Sequence, residues 1–195
     1  MPAFLFPGQG SQQAGTALLF QKSCAQAGAL MTQAAQILSE REMEAVLYGG
    51  QEALFDTRHA QPALFCASSA IAAFLTSLGV RPSLCAGYSM GEIPALVISG
   101  ALDFEPALKL IRERARLMSL KVPEGGMAAV LGLTPEQIAA LLPDTVQIAA
   151  YTGPIQTTIS GTKAGLALAA AVLKEAGGKR IVPLSVSGPF HSRYM

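Results

Sequence analysis

The pentapeptide Gly87-Tyr88-Ser89-Met90-Gly91 follows a short apolar run, Leu84-Cys85-Ala86, and precedes a helix-forming run over 92–99. This is G-x-S-x-G with a strand before it and a helix after it, the setting in which the motif lifts a serine hydroxyl out of the backbone as a nucleophile. Glycines on both sides of Ser89 permit a sharp, strained turn. The helix that follows aims its amide N–H groups and its positive end back at the serine, where they favour an oxyanion developing on an attacked carbonyl. The same residues also fit a plain glycine-rich connection, because the motif alone arises by chance.

A serine nucleophile needs a base, and the chain has only two histidines, His59 and His191. His191 stands in Ser187-Gly188-Pro189-Phe190-His191-Ser192, behind a strand expected over 180–186. There it follows the serine as the base does in the chain order of α/β hydrolases; a surface loop is the other reading. His59, in Asp56-Thr57-Arg58-His59, is expected in an exposed polar loop. Pro7-Gly8-Gln9-Gly10-Ser11-Gln12 is a tight loop in which the amide or backbone N–H of Gln9 could approach a ligand, or a simple connection. In a helix expected over 104–120, Ala107, Leu110, Ile111, Ala115, Leu117 and Met118 form an apolar stripe at about 100° per residue. Lys109, Arg112, Glu113 and Arg116 lie opposite, and Arg114 falls near the middle of the stripe. A guanidinium buried there is costly unless an anion pairs with it. A ligand anion, a structural carboxylate or snorkelling to water would each answer that cost.

The elements that must hold these residues have two textures. A strand over 3–6 leads into alanine-rich helices over 16–40 and 41–55, broken at Gly49-Gly50. Gln61 opens a helix to about residue 78, with Pro62 in its first turn and Gly79 as its stop. Asp103 reads as the N-cap of the helix over 104–120. From Gly126 onward come a strand over 127–131 and a capping box, Thr134-Pro135-Glu136-Gln137, opening a helix to 142. Strands over 146–151 and 156–160, a helix over 163–176 stopped by Gly177-Gly178, and the strand over 180–186 complete the series. The order β-α-β-β-α-β is the split βαβ of ferredoxin-like subdomains.

A chain of 195 residues, 51% of them hydrophobic, can bury a substantial core. Net charge of +1 with both signs scattered leaves no nucleic-acid footprint and no polybasic membrane patch. Cys24, Cys66 and Cys85 are widely spaced without C-x-x-C, and read as small buried hydrophobes in a reducing compartment rather than disulfides or metal ligands. The first residues lack a basic region, so no signal peptide is expected. The longest apolar run is too short to span a bilayer. The expectation is a cytoplasmic protein with no nucleic-acid or membrane partner and no metal.

Phe6-Pro7-Gly8-Gln9-Gly10-Ser11-Gln12, Gln61-Pro62-Ala63-Leu64, Gly87-Tyr88-Ser89-Met90-Gly91-Glu92, Arg114 and Gly188-Pro189-Phe190-His191-Ser192 occur in a telling order. In that order the chain resembles the malonyl-CoA:acyl carrier protein transacylases and the acyltransferases of polyketide synthases, including trans-acting ones. The resemblance runs from Phe4 to Met195. It implies an α/β fold with an α/β-hydrolase-like lobe, 1–124 and 187–195, and a ferredoxin-like subdomain, 125–186, with the active site between them. It implies a ping-pong reaction with Ser89 as nucleophile and His191 as base. The backbone N–H groups of Met90 and Gln9 would hold the oxyanion, and Arg114 the malonyl carboxylate. Gln61, Tyr88 and Phe190 would lie near the acyl group. The partners are a coenzyme A thioester and an acyl carrier protein in fatty-acid or polyketide synthesis, with no cofactor beyond these substrates.

The chain departs from the family in three places. Tyr88 stands where the family usually has His, beside the acyl group. Ala150-Tyr151-Thr152 stands where members often carry Asn. Members continue well beyond the histidine, adding the C-terminal part of the large lobe and a backbone acceptor for the His, whereas this chain ends at Met195; no carboxylate is nominated as a third triad member. An acyl hydrolase, a transferase of a non-malonyl group, and an inactive fragment of such an enzyme remain as alternatives. Arg114 opposes the hydrolase, and Tyr88 admits the non-malonyl transferase.

Overall fold

The computed structural model describes residues 1–50, 52–120 and 123–195. Residue 51, within the helix expected over 41–55, and residues 121–122, beside the expected lobe boundary, lie outside the described residues. The chain divides into two compact units, Met1–Leu117 and Met118–Met195.

In the first unit, β1 (Ala3–Phe6) and β2 (Leu84–Gly87) pair in parallel, from Ala3 opposite Leu84 to Phe6 opposite Gly87. Parallel neighbours need a crossover. It is made by α1 (Thr16–Gln21), α2 (Ala25–Ile37), α3 (Glu40–Tyr48) and α4 (Thr57–Ser77). The helix expected over 16–40 is therefore two helices. The chain breaks at Cys24, whose extended backbone and sulfur, accepting from the Ala27 N–H, cap α2. Ser39 and Glu42 cap α3 reciprocally, the Ser39 N–H donating to Glu42 Oε2 at 2.8 Å and the Glu42 N–H to Ser39 Oγ at 3.4 Å. Ser39→Ala is expected to cost about 1 kcal/mol, read as a lower urea midpoint at unchanged slope. An unchanged midpoint would remove the cap from the account.

Helix α4 starts earlier than the sequence suggests. The Asp56 carboxylate accepts from the Arg58 N–H at 2.9 Å and caps it. The stretch 56–59 is thus a cap and first turn rather than an exposed loop, with Thr57 buried and His59 half-buried. Pro62 lies inside the helix, where its missing N–H leaves the Arg58 carbonyl without its usual donor. At 21 residues α4 is long and apolar enough to cross a bilayer, against expectation, yet 67% of its apolar window is buried inside the protein. It is the core helix of this unit: Phe65 is fully buried, its ring 5.2 Å from that of Phe104. Each such side chain contributes roughly 1.5–3 kcal/mol.

Two helices follow β2: α5 (Glu92–Ile98) and α6 (Phe104–Met118). The buried stripe of α6 is Phe104, Ala107, Leu108, Ile111 and Ala115. Leu110 and Leu117, expected in that stripe, are 48% and 50% exposed. Leu108 takes the core position instead, which turns the apolar face and leaves Arg114 half-buried at its margin.

The second unit contains β3 (Gly125–Leu131), α7 (Pro135–Ala139), β4 (Val146–Gly153), β5 (Gln156–Thr162), α8 (Lys163–Glu175) and β6 (Arg180–Pro183). Its sheet has the order β4-β5-β3-β6 with every neighbour antiparallel. Val130, Ile159, Ile138 and Leu173 are fully buried in its core. Thr134 and Gln137 form the capping box that opens α7, which is shorter than expected. Residues 187–195, expected with the larger lobe, fall in this unit. There the Arg193 N–H donates to Gln147 Oε1 at 2.9 Å and the Tyr194 hydroxyl to the Thr145 carbonyl at 3.3 Å.

Candidate active site

Between β2 and α5, Ser89, Met90 and Gly91 form a 3₁₀ turn. Ser89 has φ of 55°, a left-handed conformation that costs a non-glycine residue roughly 1–2 kcal/mol. The turn is forced tight by its glycines. A Cβ on Gly87 would stand 2.1 Å from the Gly91 carbonyl carbon, and one on Gly91 2.3 Å from the Phe6 carbonyl oxygen. Gly91→Ala is expected to cost about 3 kcal/mol or more because the obstacle is backbone. Denaturant unfolding checks it, and a wild-type midpoint would contradict the close packing of elbow on β1.

The loop after β1 lies against this elbow: a Cβ on Gly8 would be 2.8 Å from the Tyr88 ring. The loop is held by its own side chains. Ser11 Oγ donates to the Gly8 carbonyl at 2.8 Å, the Gly10 N–H to Gln12 Oε1 at 2.7 Å, and Gln12 Nε2 to the Leu54 carbonyl at 2.9 Å. Met90 is buried, whereas Tyr88 is 49% exposed.

Four of these elements meet in one polar network. Arg114, on α6, donates from Nη1 to Gln61 Oε1 at 2.5 Å and from Nη2 to Ser89 Oγ at 3.4 Å. Gln61 Nε2, on α4, donates to Thr57 Oγ1 at 2.7 Å, and the Thr57 hydroxyl donates to Gln9 Oε1 at 2.9 Å. Among the described residues no carboxylate lies within ion-pair distance of Arg114. Burial pulls its pKa below the ordinary arginine value, opposed by the charge of Glu92; a guanidinium nevertheless stays protonated in neutral water. The structural carboxylate that could have answered its burial is absent from the described residues.

The structure thus brings Ser89, Met90, Tyr88, Gln9, Gln61 and Arg114 together in the first unit. His191 and Phe190 belong to the second. Phe190 is buried there, and His191 has φ of 55°. Among the described residues Ser89 and His191 are the two non-glycine residues at positive φ. Strain of that kind persists where surrounding structure imposes it and clusters at functional sites. Thr57 escaped the sequence reading. Its signal is the spacing Thr57-x-x-x-Gln61, which shares a helix face, but it is visible only if the helix starts before Pro62. Cys66 is excluded as a rival nucleophile, since burial pushes its thiol up to about 12.

Chemically, a strained serine beside a half-buried cation with no carboxylate at ion-pair distance among the described residues suits attack on the carbonyl of a molecule that carries its own anion. The family model for the acyl transferase domain matches residues 3–195. The malonyl CoA-acyl carrier protein transacylase of Bacillus subtilis (strain 168) is 40% identical over 201 residues, covering 99% of this chain and 63% of that protein. The solved malonyl CoA-acyl carrier protein transacylase from Coxiella burnetii matches with a TM-score of 0.87 at 36% identity, over 96% of this chain and 62% of its own. A malonyl-transacylase solved in complex with its type II PKS acyl-carrier protein matches with a TM-score of 0.89 at 34% identity, over 99% of this chain and 65% of its own. The chain spans less than two thirds of the length of each.

Proposed function

This chain belongs to the acyl transferase domain family, and from that premise we propose that it carries the acyl-serine chemistry of malonyl transfer from coenzyme A to the phosphopantetheine thiol of an acyl carrier protein. The observation that carries the substrate assignment is Arg114: a half-buried guanidinium at the serine hydroxyl, without a carboxylate partner among the described residues. A malonyl carboxylate supplies the missing anion and fits the two-pronged donor geometry of a guanidinium. The names of the relatives agree with this substrate.

In the first half-reaction His191 takes the Ser89 proton as Oγ attacks the thioester carbonyl. The backbone N–H groups of Met90 and Gln9 stabilise the resulting oxyanion. Its collapse breaks the C–S bond, and the proton held by His191 passes to the departing coenzyme A sulfur. In the second half-reaction His191 takes the proton of the carrier thiol, whose sulfur attacks the seryl ester. The C–O bond breaks and the proton returns to Ser89. Neither half calls for a metal or bound cofactor. Tyr88 and Phe190 border the acyl group in this reading, and Gln61 orients Arg114 through its carbonyl.

The reading includes an α/β-hydrolase-like lobe carrying Ser89 and a ferredoxin-like lobe preceding His191; the antiparallel order β4-β5-β3-β6 supports the latter. It places the protein in the cytoplasm, in fatty-acid or polyketide synthesis. The test offers labelled malonyl-CoA and acetyl-CoA in turn with a phosphopantetheinylated carrier protein, and separates carrier-bound label from free acid. Malonyl appearing on the carrier supports the reading. Free acid as the main product, or equal use of acetyl, contradicts it.

A further inference from the structure

The geometry points to Thr57 as a positioning residue of this site: its hydroxyl sets which way the side-chain amides of Gln61 and Gln9 face. The inference rests on the acyl-transfer reading above. Thr57 and Gln61 are 1% and 0% exposed, so water does not compete for their polar atoms. A hydroxyl has one proton to give. Here it is given to Gln9 Oε1, while the oxygen accepts from Gln61 Nε2.

Each of these bonds fixes an amide. With Nε2 spent on Thr57, Gln61 presents Oε1 to Arg114 and holds the guanidinium at Ser89. With Oε1 occupied by the hydroxyl proton, Gln9 is left with Nε2 as its uncommitted polar group. That nitrogen is buried and has no hydrogen-bond partner among the described residues. A buried unpaired donor costs about 1–3 kcal/mol, and the cost is recovered when an acceptor arrives. The chemistry that fits is an oxygen of the substrate's free carboxylate, the group that malonyl has and acetyl lacks. One hydroxyl therefore orients both the cation and a second donor, Gln9 Nε2.

The test compares purified wild-type protein, in its full natural chain, with Thr57→Val, Thr57→Ala and Thr57→Ser. Valine keeps the shape and removes the hydroxyl; serine keeps the hydroxyl and removes the methyl. Loss of one oriented polar interaction predicts a fall of about 10-fold or more in malonyl-CoA kcat/KM for Thr57→Val, with acetyl-CoA use changed much less. Thr57→Ser should recover most of the malonyl activity and the malonyl-over-acetyl ratio. A role confined to packing would move both substrates together and would not favour serine over valine. Should Thr57→Val fail to fold, Thr57→Ala against Thr57→Ser carries the same comparison. A hydroxyl-free variant that keeps the wild-type ratio, or a serine variant that loses it, overturns the inference while leaving malonyl transfer by the wild type intact. A wild-type protein that transfers no malonyl overturns the function itself, and the inference with it.

Discussion

Ser89→Ala is expected to abolish acyl transfer, lowering turnover by about 10⁴-fold or more, as removal of a nucleophile does in serine enzymes whose parts act as a unit. The fold should survive the change. Ser89 pays for its position with φ of 55°, and alanine at the same place carries the same backbone strain without the hydroxyl. Ser89→Gly, free of that strain, should be at least as stable as Ser89→Ala and equally inactive. Turnover and thermal unfolding together make the check. A Ser89→Ala protein that transfers acyl groups at near the wild-type rate would remove Ser89 from the mechanism.

The second large effect is on selectivity. Arg114→Ala should lower kcat/KM for malonyl-CoA by about 10²–10³-fold, the loss that follows truncation of one partner of a buried charge pair. Use of acetyl-CoA, which has no carboxylate, should change little, so the preference between the two collapses. Removal of the guanidinium also leaves Gln61 Oε1 without the Arg114 bond, so a modest fall in stability accompanies it. The ratio of substrates separates these contributions, because instability lowers both rates alike. Survival of the malonyl preference in Arg114→Ala would contradict the assignment.

The elbow was legible in the sequence because its requirements are local. Two glycines, a strand and a helix within a dozen positions specify the turn whatever surrounds it. The capping box at Thr134 and the series of strands and helices after Gly125 were legible for the same reason. The start of α4 was hidden because Pro62 suits a first helical turn, while the true cap, Asp56, is followed by residues that look like a polar loop. Thr57 was lost with it. The break at Cys24 went unseen because a thiol is a weak and uncommon cap. In α6 the apolar periodicity located the helix, but Leu108 and Leu110 compete for the core and tertiary packing chose Leu108. Arg114 stands out as a misplaced charge in the sequence; the family resemblance sets it near Gln61 and Ser89, which come from distant segments, and the fold adds its direct hydrogen bonds to both.

In the proposed reaction Ser89 carries the malonyl group. Mixing the protein with malonyl-CoA in the absence of carrier protein, quenching in acid and measuring the intact mass tests it most directly. The expected result is a gain of one malonyl group per chain, mapped by peptide analysis to Ser89 and lost when phosphopantetheinylated carrier protein is added before the quench. An adduct on any other residue, or transfer to the carrier with no adduct on Ser89, would contradict it.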